Sequence, residues 1–490
     1  MGSIRLRFPP SPTGRIHIGN IRTALFNWLW ARKQGGTLVL RIEDTDRERS
    51  ATEFEEIIIR ELQWLGLDVD EGVNKGGDYG PYRQSERLDI YKKYANKLLE
   101  EDKAYYCYCT PEELEQMRKE ARARGEMPRY NGRCRHLTDE ERKKLESEGR
   151  KPVIRFKLPD EEQEIIVNDQ IKGKVSFQTS VLDDFIIFKS DGMPTYNFAV
   201  VIDDALMKIT DVIRGEDHLS NTPKQLLLYE ALGFEPPRFA HLPLILNKDR
   251  EKLKKRSNDD AVYIGEYRRK GYLPEALFNY LALLGWAPRD GQELLSREEL
   301  IRRFELKDVN KSGAVFDIDK LNWLNGKYIR NADIKRIVDL SIPYLKEAGL
   351  ITGEVDASLY RWLVKVIDVA RTGVDYLKQI PEETSLFFKK NVEFEDKSKA
   401  IEEFSQDGVT EVFTTLVNKL KQLETLTPEA IDGIFKEMKK ELPVSPRTIY
   451  HPVRLALTGL NSGPEIKNVI YILGINEVEK RLNEALNMTE

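Results

Sequence analysis

The segment Phe8-Pro9-Pro10-Ser11-Pro12-Thr13-Gly14-Arg15-Ile16-His17-Ile18-Gly19-Asn20 carries residue types that suit phosphate binding. It follows a short apolar run, Ile4 to Phe8, and precedes an amphipathic run, Ile21 to Lys33. That order predicts a strand, a Pro/Gly-rich turn and a helix. A helix N-terminus presents unpaired backbone N–H groups and a partial positive charge, both suited to an anion. Gly14 and Gly19 allow close backbone approach, and His17 adds a side-chain donor. Neither Gly-x-Gly-x-x-Gly nor Gly-x-x-x-x-Gly-Lys occurs here, so the segment is neither a dinucleotide fingerprint nor a P-loop.

Three further groups could bear chemistry. Arg214-Gly215-Glu216-Asp217-His218 reads either as a polar strand end or as a ligand loop with Arg214 aimed at an anion; Arg holds a carboxylate through two parallel hydrogen bonds. Lys252-Leu253-Lys254-Lys255-Arg256 reads either as a solvated basic loop or as a mobile clamp on a polyphosphate. Cys107-Tyr-Cys109, a spacer of 24 residues, then Cys134-Arg-His136 has the logic of a closed zinc site, with tighter spacing within each pair than usual. The other reading is three unrelated cysteines and a histidine.

Alternating strand and helix patterns fill the first 85 or so residues. Ile21, Ala24, Leu25, Trp28 and Leu29 fall on one helical face. Leu38 to Ile42 is β-like and ends at Glu43-Asp44-Thr45-Asp46, and a helix carrying Phe54, Ile57, Ile58, Leu62 and Leu65 follows. A parallel sheet puts its ligands at the carboxyl ends of its strands, where Ser11 to Asn20 and Glu43 to Asp46 fall. From about Pro81 to Pro194 the chain turns polar and reads as an insertion. It carries a charged helical run (Thr138 to Glu148) and strand-like runs at Val153 to Lys157, Lys174 to Phe177 and Phe185 to Phe188. The α/β pattern resumes with Phe198 to Ile202 and Ile209 to Ile213. Helical periodicity dominates after Ala332, with a loop division expected near Pro381 to Asp396.

The chain has 490 residues, 40% hydrophobic and 32% charged, with a net charge of −5. This composition points to several globular units, with any nucleic-acid surface confined to a local patch. No apolar run approaches membrane-spanning length, and a cytoplasmic, monomeric protein without membrane contact is expected. Three cysteines do not make a disulfide framework.

Taken together, the motifs resemble the class I aminoacyl-tRNA synthetases, and more narrowly bacterial-type glutamyl-tRNA synthetase. The resemblance extends through Arg22-Thr23-Ala24-Leu25-Phe26-Asn27, Arg41-Ile42-Glu43-Asp44-Thr45-Asp46, Gly80-Pro81-Tyr82-Arg83-Gln84-Ser85-Glu86-Arg87 and Pro194-Thr195-Tyr196-Asn197-Phe198-Ala199. Gly271-Tyr272-Leu273-Pro274-Glu275-Ala276-Leu277 and Leu321-x-Trp323-x-Asn325-Gly326-Lys327-Tyr328 carry it further. It implies an α/β and all-α multidomain chain. A Rossmann-like catalytic domain (1–84 and 196–246) would be split by an acceptor-end-binding insertion (85–195). A stem-contact domain (247–331) and two helical anticodon-binding domains (332–390 and 391–490) would follow.

The family's roles then fall on matching residues. Arg7, Tyr196 and Arg214 would face the side-chain carboxylate of L-glutamate, and Ser11 and Glu43 its α-carboxylate and α-amino group. His17, Gly19 and His218 would contact ATP, and Lys252 and Lys255 would stabilise its phosphates, with Mg2+ required. Cys107, Cys109, Cys134 and His136 would hold structural Zn2+. Arg454 would contact the anticodon of tRNA(Glu). The family's judge of the third anticodon base falls at Gly373, close to Arg371, which implies that tRNA(Gln) is charged as well. Three residues depart from the pattern: Asn20 where histidine is common, Pro9 where alanine is usual, and Lys254 where serine is usual. A truncated relative that glutamylates queuosine in tRNA(Asp) lacks the helical region after 332. A non-catalytic tRNA-binding paralogue, or a zinc-dependent nucleic-acid-binding protein, would not need the complete nucleotide site.

Overall fold

The computed structural model describes residues 3–46, 51–253 and 262–489. The chain divides into two compact units, Met1–Arg269 with Pro274–Leu324, and Lys270–Leu273 with Asn325–Glu490.

The first unit begins with β1 (Arg5–Phe8), α1 (Ile18–Gln34), β2 (Thr37–Leu40), α2 (Thr52–Leu65) and β3 (Glu71–Gly72). β1 pairs parallel with β2, in the register Arg5 to Thr37 through Phe8 to Leu40, and β2 pairs parallel with β3. α1 starts at Ile18, three residues before the amphipathic run predicts, because His17 is its N-cap: the ring Nδ1 accepts from the Gly19 amide at 3.0 Å. It ends where Gly35 takes φ 61°, a left-handed conformation that costs glycine nothing. Ile18, Ile21, Leu25 and Leu29 of α1 are buried, as the 3.6 periodicity predicts.

After α3 (Leu88–Glu100) the insertion builds two small antiparallel sheets. One joins β4 (Ala104–Cys107), which is followed by α4 (Pro111–Ala123) and α5 (Asp139–Ser147), to β5 (Val153–Phe156) and then to β8 (Ile186–Phe188). The other is the hairpin of β6 (Glu164–Asp169) and β7 (Gly173–Gln178). α5 buries none of its residues; the Thr138–Glu141 capping box closes its first turn instead. β6 and α4 carried no strong pattern in the sequence.

The second half of the sheet follows as α6 (Tyr196–Leu206), β9 (Asp211–Gly215), α7 (Thr222–Leu232) and β10 (Arg238–Leu242), with β9 and β10 parallel. The halves meet where the Thr210 amide donates to the Arg5 carbonyl at 2.9 Å. Beyond them lie β11 (Ile245–Leu246), α8 (Ile264–Lys270), α9 (Pro274–Leu283), α10 (Arg297–Arg303), β12 (Ala314–Val315) and α11 (Ile318–Asn331).

The second unit is helical, running from α12 (Ile334–Glu347) and α13 (Ala357–Ala370) to α14 (Ile380–Phe388) and α15 (Lys397–Phe404). α16 (Val409–Lys421), α17 (Pro428–Glu441), α18 (Pro446–Thr458) and α19 (Ile466–Asn487) complete it. Phe404, Phe413, Leu416, Phe435, Ile449 and Leu482 form part of its core. Pro381 does not open a loop as expected; it occupies the first turn of α14, where its missing N–H costs nothing. Among the described residues no helix is long and apolar enough to cross a membrane.

Beneath the first sheet lies a buried charge network. From Phe198 onward α6 is apolar except for Asp203 and Asp204, which are 0% and 3% exposed. Arg87 donates to Asp203 through Nε at 2.7 Å, and Tyr91 and Gln84 donate to the same carboxylate at 2.8 and 2.9 Å. Arg41 reaches Asp204 at 2.6 Å and Glu43 at 3.2 Å. Arg7 Nε lies 3.3 Å from both Asp204 oxygens. Removing one member leaves its partners charged and dry. Asp203→Ala is therefore expected to lower unfolding stability by about 3–5 kcal/mol. Chemical denaturation followed by circular dichroism checks this; a change within error of zero would contradict it.

Candidate active site

The carboxyl ends of β1, β2 and β9 open onto a cavity of about 740 Å3. Its wall gathers Arg7, Ser11 and Glu43 from the first half of the sheet, and Tyr196, Arg214 and His218 from the second. His17, Gly19 and Lys252 complete the sequence-predicted set within the cavity. Lys255, with Lys254, lies outside the described residues.

One side of the cavity is cationic. Arg7 is 0% exposed, yet its Nη1 and Nη2 have no hydrogen-bond partner among the described residues. Arg214 is also buried, but no carboxylate among the described residues hydrogen-bonds to it. Its Nε donates to His241 Nε2 at 3.1 Å, and its Nη2 donates to Thr222 Oγ1 at 2.8 Å and Gln225 Oε1 at 2.9 Å. Burial and the neighbouring Arg7 press the Arg214 pKa down, against the pull of Tyr196 and Asp204. Arg7, Arg41 and Arg87 are matched in charge by Asp203, Asp204 and Glu43. Arg214 stands beyond that balance, so the wall is poised for one more negative group. Burial raises the Glu43 carboxyl above its ordinary value, although Arg41 and Arg7 oppose the shift. Asp204 stays low because Arg7 and Arg41 outweigh its burial.

The other side is a helix N-terminus. With Nδ1 accepting from the Gly19 amide, the neutral His17 ring carries its proton on Nε2. A Cβ at Gly19 would come within 2.9 Å of His17 Cε1, so Gly19 makes room for that ring. Residues 245–253 form a short hairpin, with Leu253 donating to the Ile245 carbonyl at 2.9 Å. It brings Lys252 to the cavity, where its Nζ lies 3.2 Å from Asp217 Oδ2. His218 packs against Tyr196 with ring centroids 5.4 Å apart, and burial beside Arg214 lowers its pKa to about 4. It is a neutral ring at pH 7. The cavity is thus graded, with unspent arginine donors at one place and a phosphate-compatible helix start beside the Lys252 cation at another.

The cysteines gather separately. The sulfurs of Cys107, Cys109 and Cys134 lie within 4.8 Å of one another, and Cys109 Sγ is 3.6 Å from Cys134 Sγ. His136 does not join them. The chain turns at 133–136, so Cys134 points inward while His136 is exposed, within electrostatic reach of Asp102. Tyr130 lies beside the thiols: its hydroxyl is 3.5 Å from Cys107 Sγ and accepts from the Cys134 amide at 2.8 Å. Three converging thiols fit a tetrahedral, thiolate-preferring metal ion, and the adjacent phenol oxygen is the nearest further donor described. Arg454 sits in the second unit on α18, half-buried, donating to the Pro464 carbonyl at 2.8 Å.

Sequence reading missed Asp203, Asp204, Asp169, His241, Thr222 and Gln225. Two adjacent acids inside the apolar run Phe198 to Leu206 are a legible anomaly. His241 gave no signal, because its partners are distant in sequence.

A family model described as tRNA synthetases class I (E and Q), catalytic domain, matches residues 3–323, and one described as anticodon binding domain matches 336–486. The chain is 54% identical over 491 residues to Glutamate--tRNA ligase 2 of Caldanaerobacter subterraneus subsp. tengcongensis, covering 100% of each chain. It is 53% identical over 487 residues to a glutamate–tRNA ligase of Natranaerobius thermophilus, covering 99% of each. Among solved structures, a glutamate tRNA ligase from Elizabethkingia meningosepticum, in complex with its amino acid, superposes with a TM-score of 0.89 at 38% identity, covering 100% of both chains.

Proposed function

The chain belongs to the class I tRNA synthetases of the glutamate and glutamine group, within the glutamate–tRNA ligases, and from that premise we propose that it activates L-glutamate with ATP and transfers the glutamyl group to the 3′ end of tRNA(Glu). The observation that carries this reading is the pair of unpartnered guanidinium nitrogens on buried Arg7, in the same wall as Arg214. A side-chain carboxylate satisfies both; the amide of glutamine offers one oxygen, sets its NH2 against the other cationic donor and brings no negative charge. Such a loss costs about 3–5 kcal/mol, or roughly two to four orders of magnitude in selectivity.

Glu43 receives the α-ammonium group and Ser11 the α-carboxylate. The α-carboxylate oxygen attacks the α-phosphorus of ATP, the bond to the bridging oxygen breaks, and diphosphate leaves. His17 Nε2–H and the amides near Gly19 hold phosphate oxygens, and His218 borders the adenosine. Lys252 leaves Asp217 to meet the phosphate charge, joined by Lys255. The terminal adenosine hydroxyl of tRNA then attacks the adenylate carbonyl and AMP leaves. Positioning and charge stabilisation supply the rate. Glu43 and Asp217, the cavity's acids, are each paired with a cation, which favours Mg2+ arriving on the nucleotide's phosphates.

Cys107, Cys109 and Cys134, with Tyr130 rather than His136 as the fourth donor, would hold zinc, which would stiffen the insertion. The insertion, 85–195, takes the acceptor end; 247–331 contacts the stem; 332–390 and 391–490 read the anticodon, with Arg454 among the contacts. An added Cβ at Gly373 would meet only the Ala370 carbonyl at 3.8 Å and Glu383 Oε2 at 3.9 Å. Arg371 is already engaged by Asp368 at 2.6 Å and the Ala332 carbonyl at 2.8 Å. With glycine at 373 and Arg371 so engaged, neither residue offers a free guanidinium to the third base, which supports charging of tRNA(Gln) as well. The protein acts as a cytoplasmic monomer.

Aminoacylation with separated tRNA(Glu) and tRNA(Gln) tests this directly. Glutamate is expected on both, glutamine on neither, and Arg7→Gln is expected to lower kcat/KM for glutamate by about two orders of magnitude or more. Glutamine incorporation would refute the amino-acid assignment, and failure with tRNA(Gln) would refute the relaxed tRNA choice. The raised Glu43 pKa sets a pH dependence: protonation removes the partner of the α-ammonium. KM for glutamate should therefore rise as pH falls, beginning above the ordinary glutamate value of 4.5. A KM flat down to that value would contradict the role. For the metal, elemental analysis should find zinc in the purified protein, keep it in His136→Ala, and lose much of it in Cys134→Ser. Loss of zinc in His136→Ala would overturn the Tyr130 assignment.

A further inference from the structure

Arg214 is oriented by a chain of buried polar groups that begins in the insertion. Asp169 closes β6 and is 5% exposed; His241 lies on β10 and is 0% exposed. Asp169 Oδ2 is 2.6 Å from His241 Nδ1, and His241 Nε2 is 3.1 Å from Arg214 Nε. These partners fix the proton positions. An ionised carboxylate only accepts and a guanidinium only donates, so the imidazole between them carries hydrogen on Nδ1 and a bare lone pair on Nε2. A second ring proton would set donor against donor. Consistently, burial keeps the His241 pKa below its ordinary value despite Asp169, while the His241 and backbone hydrogen bonds hold Asp169 low despite its burial.

The orientation of Asp169 is itself pinned. Its other oxygen, Oδ1, accepts from the amides of Lys172 at 2.7 Å, Ile171 at 2.9 Å and His241 at 3.3 Å. Phe239 supports both downstream groups: its ring stacks on His241, with centroids 6.2 Å apart, and the Arg214 guanidinium lies 5.3 Å from its centroid. Arg214 thus has Nε spent on His241 and Nη2 on Thr222 and Gln225, which sets the plane of its fork.

We propose that Asp169 and His241 are positioning residues for the amino-acid site: Asp169, from the insertion, fixes the His241 tautomer, and His241 holds Arg214 in the plane that receives the substrate's side-chain carboxylate. The proposal rests on the reading of Arg214 as a glutamate-facing group. It makes glutamate affinity depend on a residue of the acceptor-end segment that the cavity wall does not include.

Asp169→Asn is the discriminating variant. The three amides keep its oxygen on the Oδ1 side, so its NH2 group faces His241 Nδ1. The ring must then carry its proton on Nε2, pointing at Arg214 Nε. The full-length variant is expected to raise KM for glutamate about 10-fold or more while KM for ATP stays within about twofold. With histidine-selective 15N labelling, five histidines give five ring signatures, and the His241 signal should switch from the Nδ1–H to the Nε2–H form. A glutamate KM within about twofold of the parent would overturn the proposal. If Asp169→Asn does not fold, His241 variants decide. His241→Gln offers an oxygen to Arg214 and should bind glutamate several-fold better than His241→Leu; equal losses would overturn the acceptor role. Arg214→Gln separates the two claims. If it raises glutamate KM strongly and Asp169→Asn does not, the relay fails and the site reading stands. If Arg214→Gln leaves glutamate KM unchanged, the site reading itself fails.

Discussion

The catalytic unit depends on keeping a cluster of charges dry and balanced beneath its first sheet. Asp203 and Asp204 hold Arg87, Arg41 and Arg7, and Glu43 closes the network on the cavity side. Burying an ion without a partner costs several kcal/mol, so each member constrains the others. The network also ties separate parts of the chain together: β1 supplies Arg7, the segment just after β2 supplies Arg41 and Glu43, the N-cap of α3 supplies Arg87, and α6, beyond the insertion, supplies both aspartates. The same contacts that join the two halves of the sheet therefore leave Arg7 with Nη1 and Nη2 available at the cavity. Stability and amino-acid recognition draw on one set of groups, and the proposed selectivity against glutamine follows from it.

Much of this was legible in the sequence, and for identifiable reasons. The strand–turn–helix around His17, the acidic end of β2 and the loop beginning at Arg214 are local patterns. Each places its chemistry at a strand's carboxyl end whatever the rest of the fold does. The family resemblance, borne out by end-to-end similarity to glutamate–tRNA ligases, joined those patterns. What escaped was non-local or directional. Asp169 and His241 are 72 positions apart, and no spacing rule links them. His136 looked like a ligand from its distance to Cys134, but the intervening turn sends the two side chains apart, and Tyr130 enters from four residues before Cys134. The loop division expected near Pro381 to Asp396 falls at its far end, residues 389–396, because the first turn of α14 accommodates Pro381. The start of α1 moved to Ile18 because a histidine caps it, a residue outside the usual Ser, Thr, Asp and Asn set.

The insertion is more than an appended surface. Its hairpin residue Asp169 lies against β10, and its neighbour Gln170 donates its amide to the Phe239 carbonyl at 2.9 Å. Phe239 in turn backs His241 and Arg214. A segment expected to meet the acceptor end is therefore built into the support of Arg214, the residue proposed to face the amino acid. Among the residues that leave the family's pattern, Asn20 and Pro9 both line the cavity; nothing in the structure assigns either a distinct role.

The central claim is that the buried network leaves Arg7 and Arg214 as the receptor for a side-chain carboxylate. A crystal structure with a non-hydrolysable glutamyl-adenylate analogue tests it most directly. The account predicts the side-chain carboxylate within hydrogen-bond distance of Arg7 Nη1 or Nη2 and facing Arg214, with the phosphate near His17. A side-chain carboxylate bound instead at His17 or Lys252, with the Arg7 nitrogens still unpartnered, would contradict it.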